Sequence, residues 1–385
     1  MKLLHVVPTY LPAWRHGGPI WAVHGLARAL VRRGHHVEVF TTNVHGDGIL
    51  DVPLGTPVER DGVLVSYFPV AAPRRLYRSP GLGAALRSKL ADCDVVHVHS
   101  LFLWPTSAAA RAAERALVPY FVSPRGMLVP ELVARRGRLR KHIWLRLVER
   151  RTLARAAGII VTSAKEAEEA RAFGLPLPAL FEVPNGLDPA PYATLPSRLP
   201  SPPIAAALAR QPLILYLGRL SWKKGLELLI AALPGIPAAT LALAGNDDEN
   251  LRPGLEQLAR EHFVFDRVRF LGPVDMPEKV ALLRGAAALA LPSLSENFGN
   301  VVLEAMAAGC PVAVTPEVGL APVVNESGAG VVAPREAFAS ALRDLLADPA
   351  RLAGMRARGP GVVAERFSWE RAAERMEAVY RGALP

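Results

Sequence analysis

The sequence predicts two doubly wound α/β domains, each with a parallel sheet covered by helices on both faces. Two observations lead to this fold class. Short apolar runs typical of buried strands alternate with helical runs along the chain, which is the pattern of parallel sheets. At 385 residues, the chain is too long for one ordinary α/β domain and suits two. A Pro- and Ser-rich stretch at residues 194–203 indicates the linker between them.

The first domain is predicted at residues 1–193. Its first helix, residues 18–33, carries Ile20 and Val23 on one face and ends at Gly34, a residue that commonly follows a helix. The candidate strands of this domain are residues 3–7, 37–41, 63–68, 95–99, 120–123 and 158–162.

The second domain is predicted at residues 204–366, and residues 367–385 form a last helix with a serine N-cap and an apolar stripe. Doubly wound domains bind ligands at the carboxyl ends of their strands, so we expect a site in a crevice between the two domains. The candidate strands of this domain are residues 213–217, 240–244, 268–271, 287–291, 311–315 and 330–332.

The composition excludes several classes of protein. Hydrophobic residues make up 51% and charged residues 21% of the chain, which excludes a disordered protein. No apolar run reaches the roughly 18–20 residues of a membrane span, and the apolar start is too short for a signal peptide. Cys93 and Cys310 are the two cysteines, so no disulfide framework is expected. These features predict a cytoplasmic protein, with Cys310 a buried apolar residue.

The net charge of +10 is concentrated at residues 125–155, where ten basic residues accompany only two acidic ones. Ile143, Leu147 and Val148 follow helical spacing there, which predicts a basic amphipathic helix. Contact with an anionic membrane at the inner face, or with a phosphorylated lipid acceptor, fits this pattern. A solvated arginine-rich face is the alternative. No nucleic-acid-binding signature occurs, so no nucleic-acid partner is expected.

Residues 295–304, with the sequence Ser-Glu-Asn-Phe-Gly-Asn-Val-Val-Leu-Glu, are the most informative stretch. They follow a short buried strand and lead into a helix that stops at Gly309. A loop that feeds a helix N-terminus offers free N–H groups and a positive dipole end to a phosphate. Glu296 and Glu304 suit hydroxyl groups instead, because carboxylates accept strongly from them. Phosphate beside hydroxyls predicts a nucleotide sugar.

Residues 218–225, with the sequence Gly-Arg-Leu-Ser-Trp-Lys-Lys-Gly, follow the first strand of the second domain. Cations at that end of a strand neutralise a diphosphate as it departs. Arg219 would form a fork on phosphate oxygens and Lys224 would supply a point charge. Alone, this segment would suit a basic surface turn, but together with the loop at Glu296 it favours a diphosphate site.

The chain resembles the retaining glycosyltransferases of family 4, which have the GT-B fold. The Gly-Arg-Leu-x-x-x-Lys-Gly element and the Glu-x7-Glu element match the donor-binding half in order and place. The first half matches through a Gly-Gly loop, His-Val-His at residues 97–99, Ser-Pro-Arg-Gly-Met at residues 123–127 and Pro-Asn-Gly-Leu-Asp at residues 184–188. The resemblance implies two Rossmann-like domains facing across a cleft, with the last helix packing back on the first domain.

The resemblance also implies roles for individual residues. Glu296 would hold the donor sugar's hydroxyls and Glu304 the ribose, while Arg219 and Lys224 would bind and stabilise the diphosphate. Further donor-binding positions are Gly17, Gly18, Asn297, Phe298, Gly299 and Asn300. The family implies no metal and no cofactor beyond the nucleoside-diphosphate sugar, and retention by front-face attack without a protein nucleophile. The acceptor would be a saccharide or a lipid-linked saccharide.

His97 and His99 lie two apart on a strand end and point to one side. A metal pair is an alternative, but no Asp, Glu or Cys cluster near them in the sequence completes a ligand set. By resemblance, His99 is the catalytic candidate near the donor sugar and acceptor, with His97 either an acceptor contact or packed beneath. Arg125 would bind an acceptor phosphate or cap a helix C-terminus. Residues 185–186, Asn-Gly, predict a tight turn with positive φ.

Other functional classes fit the sequence less well. A nucleotide-sugar epimerase of the same fold would need acid/base groups around the sugar, whereas both carboxylates here have binding roles. A dehydrogenase would need a G-x-G-x-x-G motif after the first strand, and that loop has the sequence Pro-Thr-Tyr-Leu-Pro-Ala-Trp. A non-catalytic protein that binds anionic ligands is suggested by the charge alone.

Overall fold

The computed structural model describes residues 1–13, 18–129 and 143–384. The chain divides into two compact units, Met1–Gly186 with Trp369–Pro385 and Leu187–Ser368. The division falls before the linker predicted at residues 194–203. It lies there because Tyr192, ahead of that stretch, is buried in the hydrophobic core of the second unit.

The first unit contains ten described strands in two sheets. They are β1 Lys2–Val7, β2 His36–Thr42, β3 Val44–His45, β4 Gly48–Ile49, β5 Val58–Arg60, β6 Val63–Phe68, β7 Val95–His99, β8 Tyr120–Ser123, β9 Gly158–Val161 and β10 Leu180–Glu182. The main sheet has the order β10-β9-β8-β7-β1-β2-β6-β5, and β3 pairs with β4 in a separate hairpin. Within the main sheet only β5 is antiparallel to its neighbour.

Burial on both faces explains why the strands of this sheet are continuously apolar. Leu3 and Val7 of β1 pack into one core, and Leu4 and Val6 pack into another on the opposite face. The described helices of this unit are Gly18–Arg32, Pro80–Lys89, Trp104–Ala116, Arg150–Ala154, Ala164–Ala172 and Trp369–Arg381, with a π-helical turn at Leu145–Glu149.

The last helix, Trp369–Arg381, packs on the first helix, Gly18–Arg32, and so lies on the first domain, as the resemblance implies. Their contact requires a glycine at position 25, because a Cβ atom there would lie 2.3 Å from the ring of Trp369. The buried side chains of Met376 and Tyr380 complete the core on this face of the sheet. The fold of the first unit therefore uses residues from both ends of the chain.

The second unit has one sheet in which all neighbouring strands are parallel. Its strands are β11 Leu213–Leu217, β12 Thr240–Ala244, β13 Val268–Gly272, β14 Ala288–Leu291, β15 Val312–Val314 and β16 Gly330–Val332, in the order β13-β12-β11-β14-β15-β16. Its helices are Ala190–Ala193, Pro202–Leu208, Leu226–Ala232, Arg252–Glu261, Met276–Gly285, Asn300–Ala307, Ala321–Ser327, Arg335–Leu346 and Pro349–Arg366.

Each sheet has a point at which the strand order reverses. In the second unit β11 lies between β12 and β14, and in the first unit β1 lies between β2 and β7. Loops diverge at such a point and leave a crevice at the carboxyl ends of the strands. The fold thus places one candidate site after β11 and β14, and another after β1 and β7. Among the described helices, none has the length and apolar character needed to cross a membrane.

Candidate functional site

The loop after β11 presents the predicted cations of the second unit. Arg219 is exposed, and its main-chain oxygen accepts a 2.6 Å hydrogen bond from the hydroxyl of Tyr216, which fixes the turn. Lys224 ends a short 3-10 turn and is followed by Gly225 at φ +66°. A Cβ atom on Gly225 would lie 2.2 Å from the main-chain oxygen of Pro292. A glycine is therefore needed to bring this loop against the one after β14.

Glu296 lies in the loop after β14 and is fixed by its backbone. Its N–H donates to the oxygen of Glu317 at 3.1 Å, and its oxygen accepts from the N–H of Gly319 at 2.8 Å. The carboxylate forms a close ion pair with the Nζ atom of Lys224. The structure therefore brings together two residues that the sequence places in separate motifs, at the reversal point of the sheet.

The charges around Glu296 keep its carboxylate ionised. Burial alone would raise its pKa, but Lys224, together with Lys223 and Arg219, lowers that pKa below its ordinary value. Burial lowers the pKa of Lys223, although the charge of Glu296 opposes this effect. Lys223 was not among the predicted site residues, and its position beside Lys224 in the same turn was the available signal. The loop thus holds three cations near one carboxylate.

Glu304 lies on the helix Asn300–Ala307 and has two partners that the sequence analysis did not find. Its Oε1 atom lies 2.9 Å from the Nζ atom of Lys279, on the helix Met276–Gly285. Burial raises the pKa of the Tyr192 hydroxyl, and a hydrogen bond to Glu304 and the charge of that carboxylate add to the effect. Glu304 is therefore an oriented carboxylate rather than a free surface group.

The residues between the two carboxylates differ in what they can offer a ligand. Gly299 is the N-cap of the helix Asn300–Ala307 at φ +93°, a conformation that glycine adopts without strain. Phe298 is only 4% exposed and its ring packs near that of Phe367, so its side chain belongs to the core and only its main chain is left for a donor. Asn297 and Asn300 are partly exposed beside it.

The first unit collects three buried histidines where β1 and β7 end. His99 and His97 stack with ring centroids 4.1 Å apart, and the Nδ1 atom of His5 lies 3.1 Å from the Nε2 atom of His99. Burial lowers the pKa of His5 to about 3 and lowers the pKa of His97 and His99 well below the ordinary value. All three imidazoles are therefore neutral at physiological pH. His5 was not predicted as part of a site.

Hydrogen bonds determine the role of each imidazole. A guanidinium can only donate, so the Nη2 atom of Arg125, 3.5 Å from the Nδ1 atom of His99, makes that nitrogen an acceptor. His99 then carries its proton on Nε2 and donates to His5. His97 is bonded on both sides, to the hydroxyl of Tyr380 at 2.6 Å and to the hydroxyl of Ser123 at 2.8 Å. This placement argues against the predicted acceptor contact of His97 and favours its packing beneath.

The histidine cluster also bears on the metal alternative. One ligand atom from each of His5, His97 and His99 lies within 4.8 Å of the others, so the third ligand that the sequence did not show is present. The Nδ1 atom of His5 and the Nε2 atom of His99 are hydrogen-bonded to each other. Both ring nitrogens of His97 are hydrogen-bonded to neighbouring hydroxyl groups. The cationic Arg125 beside His99 would repel a metal ion. The arrangement therefore suits a hydrogen-bonded network better than a metal site.

Arg125 follows β8 and caps none of the described helices. Its Nη1 atom donates to the Oδ1 atom of Asn185 at 3.0 Å, its Nη2 atom faces His99, and its buried Nε atom has no partner. These contacts do not support the capping alternative. The turn predicted at residues 185–186 is also different, because Gly186 does not have a positive φ. A Cβ atom there would lie 2.7 Å from Trp369, so close packing explains this glycine.

Two predicted features lie partly outside the described residues. Gly17 is outside them, whereas Gly18 is the exposed first residue of the helix Gly18–Arg32. Of the basic segment at residues 125–155, positions 130–142 are outside. In the described remainder, Ile143 and Leu147 are 49% and 75% exposed. The carboxylate of Glu149 is turned inward and accepts from the N–H of Phe102 at 2.7 Å.

Comparisons with known proteins find glycosyltransferases similar to both halves of the chain. Residues 203–362 match the family model described as "Glycosyl transferases group 1", and residues 17–186 match the "Glycosyl transferase 4-like domain". A D-inositol 3-phosphate glycosyltransferase of Xylanimonas cellulosilytica is 31% identical, over 95% of this chain and 92% of that protein. A glycogen synthase of Mycobacterium tuberculosis is 33% identical, over 75% of this chain and 69% of that protein.

Solved structures show the same fold. A sucrose-phosphate synthase from Thermosynechococcus elongatus has a TM-score of 0.77 and 24% identity, with 99% of each chain covered. HepE from Anabaena, in complex with UDP and glucose, has a TM-score of 0.75 and 19% identity, again with 99% of each chain covered. The predicted fold class, two Rossmann-like units of the GT-B type, is confirmed. The chain is a glycosyltransferase enzyme and belongs to the group 1 glycosyl transferases, with a glycosyl transferase 4-like domain in its first half.

Proposed function

We propose that this enzyme transfers a sugar, with retention and without a metal ion, from a nucleoside-diphosphate sugar to a saccharide or lipid-linked saccharide acceptor in glycan synthesis. The second unit would bind the donor and the first unit the acceptor. The observation that carries the proposal is the ion pair between Lys224 and Glu296 at the reversal point of the second sheet. It joins a cation suited to a diphosphate with a carboxylate suited to sugar hydroxyls.

Donor binding would act on this pair directly. A diphosphate beside Lys224 competes for the ammonium and leaves the carboxylate of Glu296 to accept from the hydroxyls of the sugar. The lowered pKa of Glu296 supports this role, because an ionised carboxylate is the stronger acceptor. In the free enzyme the two residues satisfy each other, so neither charge is left unpaired before the donor arrives.

The cations of the loop support independence from metal ions. Arg219, Lys223 and Lys224 place three positive charges in the loop after β11, near the carboxylate of Glu296. Charge neutralisation of a departing diphosphate is the work that a divalent ion performs in other enzymes. Arg219 is exposed and can form a fork on phosphate oxygens.

The ribose of the donor would bind at Glu304. Lys279 and Tyr192 hold this carboxylate from two other helices, and such support fixes the direction of its remaining lone pairs. A carboxylate accepts well from the two hydroxyls of a ribose. Asn297, Gly299 and Asn300, with the first N–H groups of the helix Asn300–Ala307, would then face the sugar and diphosphate.

Retention would follow from attack on the face from which the diphosphate leaves. The bond between the anomeric carbon and the diphosphate oxygen breaks, the acceptor oxygen bonds to the same face, and the hydroxyl proton passes to the departing phosphate. No protein nucleophile takes part. A nucleoside diphosphate leaves without a general acid, so the acid/base carboxylate pair of glycosidases is not needed. His99 stays a predicted catalytic residue, held by His5 and Arg125.

Peripheral contact with an anionic membrane, at its cytoplasmic face, is part of the proposal. Ile143 and Leu147 are exposed apolar side chains next to the exposed Arg146 and Arg150. Apolar groups with neighbouring cations suit the surface of a bilayer that contains anionic lipids. Sedimentation with anionic and with neutral liposomes checks this point, since the proposal expects binding to the anionic ones alone. Loss of binding in Ile143→Ser with Leu147→Ser would support it.

A panel of nucleotide sugars in a thermal-shift assay tests the function. A true donor raises the melting temperature by mass action, and Glu296→Ala should reduce the advantage of a nucleotide sugar over its nucleoside diphosphate. The selected donor is then assayed for transfer with and without EDTA, and the anomer of the product is determined by NMR. Loss of activity in EDTA would overturn metal independence. Absence of stabilisation by any nucleotide sugar would overturn the donor proposal.

A further inference from the structure

Arg125 carries a guanidinium charge that has no anionic partner in the described part of the first unit. Arg125 makes one contact through Nη1 and one long contact of 3.5 Å through Nη2, both with neutral groups, and its Nε atom is buried without a partner. Among the described residues, no carboxylate lies within ion-pair distance of it. A guanidinium has five N–H donors, so most of those of Arg125 have no acceptor among the residues that the structure describes.

The carboxylate whose charge acts on Arg125 is that of Glu166, but its oxygens accept hydrogen bonds from other residues. The charge of this carboxylate favours the protonated form of Arg125. Its Oε1 atom, however, accepts from the N–H of Gly126 at 2.8 Å, and its Oε2 atom accepts from the N–H and hydroxyl of Thr162 at 2.7 Å each. Glu166 therefore fixes the backbone beside Arg125 instead of neutralising the side chain.

The position of Arg125 costs free energy that its present contacts do not return. Desolvating a charge without a counter-ion is costly, and Arg125 also has a φ of +52°. A left-handed conformation is strained for a residue with a side chain, and such residues cluster at ligand sites. An oxyanion bound to the guanidinium would supply the missing charge.

We propose that Arg125 binds a phosphate group of the acceptor. This inference rests on the proposed function and names the chemical class of the acceptor. The guanidinium fork matches two oxygens of a phosphate. The neutral His99 and the amide of Asn185 beside it add no second charge, which suits a singly charged group such as the phosphate that links a saccharide to a lipid. A free sugar phosphate offers the guanidinium the same phosphate oxygens but carries about two negative charges at pH 7.

The experiment separates this site from the donor site of the second unit. Binding is measured by thermal shift and calorimetry in the Arg219→Ala, Lys224→Ala background, so that phosphate binding by the diphosphate cations does not interfere. The probes are inorganic phosphate, a hexose 1-phosphate, the unphosphorylated hexose, the corresponding hexuronic acid and a short-chain prenyl diphosphate hexose. The variants are Arg125→Gln and Arg125→Lys, with Arg87→Gln, an exposed arginine on the helix Pro80–Lys89, as the matched control.

The phosphorylated probes should bind about 10- to 100-fold more weakly to Arg125→Gln, and Arg125→Lys should recover part of the loss. Arg87→Gln should behave like its parent. Selective binding of the prenyl diphosphate identifies a lipid source, and equal binding of the hexose 1-phosphate identifies a soluble one. Binding of the hexuronic acid alone, or phosphate binding that survives Arg125→Gln, overturns the proposal. Nucleoside diphosphate binding to the otherwise unchanged enzyme tests the donor proposal separately.

Discussion

Each unit places its candidate site where the strand order of its sheet reverses, but the residues at the two sites differ in charge. In the second unit, the loops after β11 and β14 bring cations against an ionised carboxylate, Glu296. In the first unit, strands β1 and β7 bring together three neutral imidazoles, and Arg125, which follows β8, lies beside them without a counter-ion among the described residues. The reversal of strand order therefore determines where a ligand binds, and the residue types in the loops determine which ligand is bound.

Removal of Glu296 is expected to have the largest effect. Glu296→Ala should reduce transfer on the order of 10³-fold or more, because the sugar loses its charged acceptor at the reacting end. Affinity for the nucleoside diphosphate should persist, as measured by calorimetry. Glu365→Ala, an exposed glutamate on the helix Pro349–Arg366, is the matched control. Transfer that survives Glu296→Ala would falsify the sugar-holding role.

Acid is expected to destabilise the first unit more than the second. Histidines with lowered pKa stay neutral in the folded state, but below pH about 6.5 the unfolded chain binds protons that the folded chain does not. The free energy of unfolding then falls by about 1.4 kcal/mol per pH unit for each imidazole, or about 4 kcal/mol at pH 5.5 for His5, His97 and His99 together. Glu296, whose pKa is lowered from 4.5, destabilises the second unit only at more acidic pH.

Hydrogen exchange read by mass spectrometry at pH 7 and pH 5.5, corrected for the intrinsic exchange rate, measures this difference. The first unit should lose protection while the second unit, with His262 as its single histidine, keeps it. His5→Gln should remove about a third of the pH slope that the histidine cluster contributes, while His24 and His35, whose pKa values burial also lowers, keep their own contributions. Equal loss of protection in both units would show that the histidine cluster does not control acid stability.

Loss of the two cations proposed to bind the diphosphate should have a smaller effect, which is a lower affinity for the nucleoside diphosphate. Arg219→Ala with Lys224→Ala should weaken nucleoside diphosphate affinity by about 3 kcal/mol, or on the order of 100-fold, because charge-assisted contacts contribute about 1.5–3 kcal/mol each. Isothermal calorimetry measures it, with the exposed Arg343→Ala as control. An unchanged affinity would remove the diphosphate site from the second unit.

The smallest effect is expected from removal of Glu304, the carboxylate proposed to bind the ribose. Glu304→Ala should weaken binding of the nucleoside diphosphate about tenfold and should not affect a 2′,3′-dideoxy analogue, since only the former donates to it. Tyr192→Phe should give a smaller loss in the same direction, because it releases one hydrogen bond to Glu304. Equal losses for both ligands would mean that Glu304 acts on the fold instead of the ribose.

Local sequence patterns predict most of the strands, and they predict Arg219, Lys224 and Glu296 as residues of the candidate site in the second unit. The apolar runs at residues 63–68, 95–99, 120–123, 213–217 and 240–244 match strands of the structure residue for residue. The short strands β5 and β10 were missed, because their pairing comes from neighbouring strands and not from a buried apolar run. Gly225 at the end of the cation motif was informative, because it marks a close approach of two backbone segments.

Contacts between distant parts of the chain could not be predicted. His5 lies within an apolar strand, and only the pairing of β1 with β7 shows that it faces His99. Lys279 and Tyr192 lie on helices with no motif of their own, and the packing of three helices is needed to bring them to Glu304. The direction of the Phe298 ring into the core was likewise set by tertiary packing.

The bond between Tyr380 and His97 has a consequence for synthesis of the chain. Ribosomes make the amino-terminal strands first, and domains tend to fold in that order. Here the first unit cannot be completed until the last helix leaves the ribosome, because Trp369 and Tyr380 cover the apolar face of the first helix and reach the base of the histidine cluster. The later-made second unit can close its own core sooner. A premature stop before Trp369 would therefore release a polypeptide with a finished second unit and an open, aggregation-prone first unit.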